Sequence, residues 1–308
     1  MHNLVESFFW ASAIALAAPI LLAALGETFA QRAGVFTIGI EGLMLSGAFG
    51  AAAVASWSGD VIVGFAGAAL AGAVLGALYG VAVVLFRADQ VVVGIGFNLI
   101  VLGATSMLRR GLFPTGMEVP STSALDRHEL PLLGDLPWIG EVLFDQSPIV
   151  YALYVLTPFG VFLLFRTRVG LLVRAVGDGA LASSAAGIRV PRIRMWVMVV
   201  NGTLAGAAGA TLVLVNAGGV FVDNLVDGRG YLVLALTMFA RWHPGWVALG
   251  AVLFGAADAL QFIAQATFGG HVPTAVFLMA PYLLALAAWV VMGKRSRAPS
   301  DLGVPLLA

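Results

Sequence analysis

Glu41 is a carboxylate at the head of an apolar run, Gly39 to Trp57. Ionisable groups inside a bilayer are costly and face the bundle interior or a wet cavity. Glu41 therefore either lines a translocation pathway or caps a half-helix N-terminus, whose free N–H groups favour negative charge. Asp258, Gln261 and Gln265 fall at i, i+3 and i+7, hence on one helix face. Such a stripe lines the pathway or hydrogen-bonds a neighbouring helix. Asn98 and Asn201 carry the same two readings. Nothing in the chain reads as bond-making chemistry. There is no G-x-x-x-x-G-K-[ST], no H-E-x-x-H and no G-x-S-x-G, and the four histidines are scattered. No cysteine is present, which excludes a disulfide or a thiolate metal site. The expectation is a protein that moves something rather than an enzyme, with no metal and no cofactor of its own.

The elements that must position these residues are membrane spans. The 308 residues are 60% hydrophobic and 10% charged, with a mean hydropathy of +0.99. A soluble domain carries about 25% charged residues, so lipid is this chain's main surrounding. At about 20 residues per span, the length fits one bundle of about eight to ten transmembrane helices, an all-α polytopic membrane protein. Nothing in the zero net charge points to a nucleic-acid partner. The start lacks the basic n-region of a signal peptide, so the first apolar run reads as a retained helix.

Hydropathy places spans at about Phe8–Leu25, with Pro19 inside, then Gly39–Trp57, Val61–Phe86 and Val91–Leu108. Further spans are expected at Pro148–Phe165, Met195–Val215, Gly245–Phe262 and Pro273–Met292, with Tyr231–Ala240 as a half-length segment. Gly26–Ile38 is expected as a polar, glycine-marked passage after the first helix. Gly72, Gly76 and Gly80, and the pair Gly202/Gly206, form small-xxx-small faces that let helix backbones approach closely. Arg109–Ser147 is the longest hydrophilic passage, punctuated by Pro114, Pro120, Pro131 and Pro137. Gly34–Gly47 and Gly228–Arg241 look alike: each is a glycine-marked, partly polar run opening onto a hydrophobic segment. Interrupted helices at matching places in two halves point to an inverted repeat and to the transport pathway.

The most basic stretch is Arg166–Arg194, and Lys294, Arg295 and Arg297 make a basic tail. Lys and Arg accumulate in cytoplasmic loops, so both are expected inside. That holds only if Tyr231–Ala240 crosses as a short helix, and it leaves Arg109 and Arg110 outside. The middle of the loop, Asp178–Ile188, is small and helix-friendly, suited to docking into another protein. The chain then divides into a first half (1–165), a cytoplasmic loop (166–194) and a second half (195–308) of one transmembrane domain.

These segments resemble a known family. Thr28–Gly50 (TFAQRAGVFTIGIEGLMLSGAFG) is similar to the signature of ABC-importer permeases of the branched-chain amino acid/ribose type, most of all the nucleoside and simple-sugar subgroup. Arg174–Gly209 resembles the coupling segment of that family and the helix after it, and Gly228–Gly255 its second conserved block. The resemblance implies a type II importer fold in the inner membrane of a prokaryote. It implies a second, paralogous permease, separate ABC ATP-binding subunits that hold the ATP, and an extracytoplasmic substrate-binding lipoprotein. Asp178, Ala182, Ser183, Ala186, Gly187 and Ile188 would then form the coupling helix against the ATPase. One departure stands out: Gly179-Ala180 occupies the place of an Asn-containing pair, which leaves the helix start without a side-chain cap. Gly39–Gly42 (GIEG) leans towards nucleosides, purine nucleosides first, over ribose-like sugars. A different class, an ion-gradient-driven carrier, would use Glu41 and Asp258 as protonatable groups and would have no need of the helical basic loop.

Overall fold

The computed structural model describes residues 2–113, 139–268 and 298–304, together with Met117, Val119, Leu125, Arg127–Glu129, Met279 and Leu283. Apart from Met279 and Leu283, the expected span Pro273–Met292 lies outside the described residues, as do the basic tail at Lys294–Arg297 and most of the proline-marked passage.

Among the described residues, seven helices are long and apolar enough to cross a membrane. In chain order the helices are α1 (His2–Arg32), α2 (Ile40–Ser58), α3 (Val61–Gly80), α4 (Gln90–Leu112), α5 (Pro148–Arg166), α6 (Arg168–Asp178), α7 (Ala180–Ala185), α8 (Val190–Ala210), α9 (Arg229–Phe239) and α10 (Pro244–Phe268). α3 and α8 each end in a π-helical turn, Val81–Leu85 and Thr211–Asn216. A two-residue antiparallel ladder, β1 (His128–Glu129) with β2 (Asp145–Gln146), precedes α5.

Local chemistry sets most of these boundaries. Asp60 caps α3 by accepting from the Ile62 amide at 2.7 Å, and Asp89 caps α4 through Val91 and Val92 at 2.9 and 3.0 Å. Gly59, in the left-handed region at φ 73°, closes α2. α1 departs from expectation. It passes Pro19 unbroken and continues through Gly26–Arg32, which the sequence marked as a polar passage. The polar groups there are satisfied inside the bundle rather than by water: Gln31 Nε2 donates to Glu27 Oε1 one turn back at 2.9 Å.

α1, α2 and α8 form the interior and α3, α4 and α5 the rim: 78% of the apolar window in the α8 span is buried, against 22% in α4. The expected glycine faces make the closest crossing. A Cβ on Gly72 would overlap the Gly202 carbonyl, one on Gly202 would overlap the Gly72 carbonyl, and one on Gly206 would overlap the Ala68 carbonyl. With no hydrophobic drive between helices in lipid, such backbone contact carries the association of α3 with α8.

The bundle has two distinct ends. Arg32, Trp242, α6, α7 and residues 298–304 gather at one, joined by Arg32 donating to the Trp242 carbonyl at 3.1 Å and by Asp301 N donating to the Gly177 carbonyl at 2.9 Å. At the other, Arg109 near the end of α4 pairs with Asp223 at 2.8 Å. The segment from Ala217 to Trp242 therefore runs from one end to the other, with α9 as its helical half. This is the short crossing helix that the charge pattern required.

Candidate functional site

The two glycine-marked passages meet. Glu41, in the first turn of α2, lies across the start of α9: Gly228 N donates to Oε1 and Gly230 N to Oε2, both at 2.7 Å. The carboxylate thus caps a half-helix, as one of its two readings had it, but the helix belongs to the other half of the chain. Gly230 is glycine because a Cβ there would stand 2.6 Å from Glu41 Oε2. The turns leading into α9 are strained: Asn224 and Asp227 sit at φ 59° and 48°, ahead of Gly228 at 81°. Non-glycine residues in this region are uncommon and collect at functional sites.

Asn98 completes the clasp from α4. Its Oδ1 accepts from the Gly42 amide at 2.8 Å, and its Nδ2 donates to the Ile38 carbonyl at 3.0 Å and to the Tyr231 hydroxyl at 3.1 Å. One side chain therefore holds the entry to α2 against the first turn of α9.

Asn201 sits apart, within a second buried network. Its Nδ2 donates to Glu27 Oε2 at 2.8 Å and to Thr37 Oγ1 at 3.0 Å, while Thr37 N donates to Glu27 Oε1 at 3.1 Å. Gln31 continues the network by accepting from Trp242 Nε1 at 2.6 Å. Glu27, Gln31, Thr37 and Asn201 are all fully buried. The sequence showed Glu27 only as part of a polar passage; its spacing from Gln31 on a continuing helix was the available signal. Asp258 is nearly buried and faces Arg229 at 4.0 Å, across the start of α9. Gln261 is buried one turn further along α10.

At the basic end, α6 and α7 make two arms of the expected coupling segment. α6 is amphipathic and presses Gly177 so closely on α1 that a Cβ would overlap the Arg32 carbonyl. Phe165, at the end of α5, lies under Arg32 and Arg174 at 5.8 and 5.3 Å and stacks with His243 at 4.9 Å. Burial and the Arg32 charge push the His243 pKa below its ordinary value, which keeps the ring neutral. Asp178, Ala182, Ala186 and Gly187 are exposed, together with Leu181 and Ala185. Ser183 instead turns inward, donating to the Ala175 carbonyl at 2.9 Å, and Ile188 packs beside Val176, Ala180 and Val190. Arg194, counted from sequence with the basic loop, is buried and donates to the carbonyls of Ala33 and Val304.

The cap that the Gly179-Ala180 pair lacks comes from elsewhere in the chain. Ala180 N donates to Asp301 Oδ2 at 2.6 Å, and Gly303 N donates to the Gly34 carbonyl at 3.1 Å. Residues 298–304 thus strap α7 to the α1–α2 corner. Only the folded chain reveals this pairing, because nothing local marks Asp301 as a cap.

The arrangement holds a broken-helix junction inside the bundle and a seated, partly exposed helix at the basic end. Among the described residues no His, Cys, Asp or Glu group is placed to hold a metal ion. The family described as the permease component of branched-chain amino acid transport systems matches residues 9–288. The guanosine ABC transporter permease protein NupQ of Bacillus subtilis is 31% identical over 94% of this chain and 93% of its own length. A putative glucose ABC transporter permease protein of Haloferax volcanii is 33% identical over 80% of this chain and 74% of its own. The nucleoside ABC transporter permease protein NupC of Lactococcus lactis is 28% identical over 93% of this chain and 92% of its own. No solved structure matches the chain with significance. The chain is a multi-pass protein of the prokaryotic inner membrane, and it belongs to the branched-chain amino acid transport permease family as an ABC transporter permease of nucleoside or sugar type.

Proposed function

We propose that this permease imports nucleosides, purine nucleosides first, delivered by an extracytoplasmic binding protein and driven by ATP hydrolysis on separate subunits. The observation that carries the reading is the α7 foot: a short exposed helix, capped from residue 301, that follows α6, whose Gly177 is pressed on the end of α1. A partner pressing on α7 moves α6 and the Arg32–Phe165–His243 stack. Through Trp242 and Gln31 the same push reaches Glu27 and the helix-junction region. In this reading Asp178, Ala182, Ala186 and Gly187 meet the ATPase, while Ser183 and Ile188 hold the helix on its seat. Glu41 and Asn98 hold the two broken helices in register, Asn201 orders Glu27, and Asp258 and Gln261 flank the pathway. Residues 1–308 act as one permease domain that pairs with a second, similar permease.

The substrate leans on two relatives whose names specify guanosine and nucleosides and which match almost the whole chain. A simple sugar is the second reading, favoured by the putative glucose permease among the relatives. The test is uptake of labelled guanosine in cells carrying this permease and its neighbouring transport genes, with ribose as competitor. A protonophore is added while ATP is held up. Uptake that resists the protonophore and ribose is expected. Competition by ribose would move the substrate to sugars, and loss of uptake with ATP intact would replace the reading with a gradient-driven carrier.

Gly187 gives a sharper probe of the foot. It sits at φ 84° with open space where a Cβ would go. Gly187→Arg is expected to leave the bundle assembled but to part ATP hydrolysis from guanosine uptake. Equal uptake per ATP in the variant and the parent would remove the coupling role.

A further inference from the structure

We propose that an anionic phospholipid of the cytoplasmic leaflet is seated on the open face of α8, its acyl chains in the two grooves beside Trp196 and its phosphate at Arg192. The site depends on the membrane setting of the chain and not on its cargo.

α8 is mostly interior, yet it keeps one open stripe. Arg192, Trp196 and Val200 follow at four-residue spacing, hence on one helix face, and all three are exposed, Trp196 at 71%. A groove flanks the stripe on each side, and Trp196 lines both. The larger, of about 350 Å³, lies between α5 and α8 with Leu25 and Phe29 of α1 as its floor. The hydroxyl of Thr203 in its wall donates back to the Val199 carbonyl at 2.8 Å, which leaves the lining apolar. The smaller, of about 320 Å³, lies between α8 and the π-helical turn that ends α3, where Leu85, Pro191 and Met195 line it. Among the described residues, no Asp or Glu lines either groove.

The reach of the larger groove selects its occupant. It begins at the basic end, where Val169 and Val173 of α6 line it, and extends to Leu204 on α8 and Leu156 on α5. Both of these residues stand near the middle of their spans, Val190–Asn216 and Pro148–Arg166. From Trp196 to Leu204 the groove covers about 12 Å at 1.5 Å per residue. One leaflet is about 15 Å deep, half of a hydrocarbon core about 30 Å thick. A transmembrane helix of a partner subunit would need a seat across both leaflets, whereas an acyl chain needs only this one. A nucleoside would find no polar group to read it.

The chemistry of the mouth selects the headgroup. Arg192 stands one turn nearer the basic end than Trp196, and its guanidinium has no hydrogen bond or ion pair among the described residues. The Trp196 indole N–H likewise has no acceptor there. A tryptophan near the end of a span, with an arginine one turn beyond, places both polar tips at headgroup level. Arg168 and Arg189, both exposed, add positive charge at the same end. Lys and Arg accumulate on the cytoplasmic side, and basic pockets between transmembrane helices on that side favour anionic headgroups.

The test places the assembled transporter in vesicles of phosphatidylcholine and phosphatidylglycerol in equal parts. A trace of phosphatidylglycerol carries a photoreactive diazirine in its acyl chain. Label in the α8 peptide containing Trp196 and Val200 is expected, and unlabelled phosphatidylglycerol should compete it away better than phosphatidylcholine. Arg192→Gln is expected to weaken phosphatidylglycerol at this site about fivefold, the equivalent of about 1 kcal/mol for one basic residue near an anionic surface. Gly160 lines the larger groove, and a Cβ there would meet Phe29, Pro244 and Leu25 only at ordinary contact distance. Gly160→Leu therefore fills the groove, and most of the α8 label should be lost while the complex stays assembled. Label confined to other helices overturns the proposal and leaves the stripe to a partner subunit. Equal competition by the two lipids, an unchanged Arg192→Gln, or full label in assembled Gly160→Leu overturns it as well. A transporter that takes up no guanosine would overturn the import reading and leave this site standing.

Discussion

Glu41 shows how much one carboxylate can hold at membrane depth. Both oxygens are committed to backbone amides of α9, so removing either acceptor leaves a buried N–H without a partner. That costs about 1–3 kcal/mol for each group stranded. Glu41→Gln retains one acceptor and points an amide donor at the other N–H. It is expected to lower the unfolding temperature in detergent and to reduce uptake severely, where a pathway group held only by water would leave stability alone. Differential scanning of the purified permease separates the two. The residue was legible in the sequence because a lone acid at the mouth of an apolar run has few affordable positions. Its partner was not, since Gly228 and Gly230 lie 187 and 189 positions away and glycine amides leave no side-chain signature. Ser183 illustrates the converse, with Ile188 packed in just past the helix end: a six-residue helix has an inward side, and small residues alone do not say which side that is.

Helices and their crossings are the level at which periodicity is most informative. The span boundaries followed the apolar runs closely, and the Gly72/Gly76 and Gly202/Gly206 faces became the α3–α8 crossing. α1 ran past its expected end because satisfying Glu27 and Gln31 within the bundle costs less than breaking the helix to reach water. Gly72→Leu is expected to force the two backbones apart, an overpacking cost of about 1–3 kcal/mol or more. Reduced yield of folded permease, read by fluorescence size exclusion, checks it; a normal profile would mean that the crossing is looser than drawn. The link from α8 to α9 is held at Asp223, whose carboxyl the Arg109 guanidinium keeps below the usual range. A lowered folded pKa gives stabilisation that is complete above the ordinary aspartate value of about 4 and is lost as pH falls through the lowered value. Hydrogen-exchange protection in residues 217–228, taken relative to the intrinsic rate at each pH, is therefore expected to hold at pH 5 to 8 and to fall only in stronger acid. In Asp223→Asn the exchange should be fast throughout; slow exchange in that variant at neutral pH would show that the ion pair is not the anchor.

As a whole, the molecule is a bundle whose two halves are clasped in the interior and strapped at the basic end. The strap predicts a measurable coupling. Asp301→Ala removes the cap of α7, worth about 1 kcal/mol, and is expected to weaken ATPase binding about fivefold while the bundle stays folded. Unchanged ATPase affinity by surface-immobilised titration would assign the strap to packing alone. The strap also bears on how the protein is made. Ala180 and Asp301 are 121 residues apart, so the foot leaves the ribosome long before the residue that completes it. A half-synthesised permease carries an unfinished foot, and only a chain whose later helices are already inserted can present the finished one. On the coupling role proposed for α7, the order of synthesis would delay recruitment of the motor subunit until there is a full bundle for it to drive.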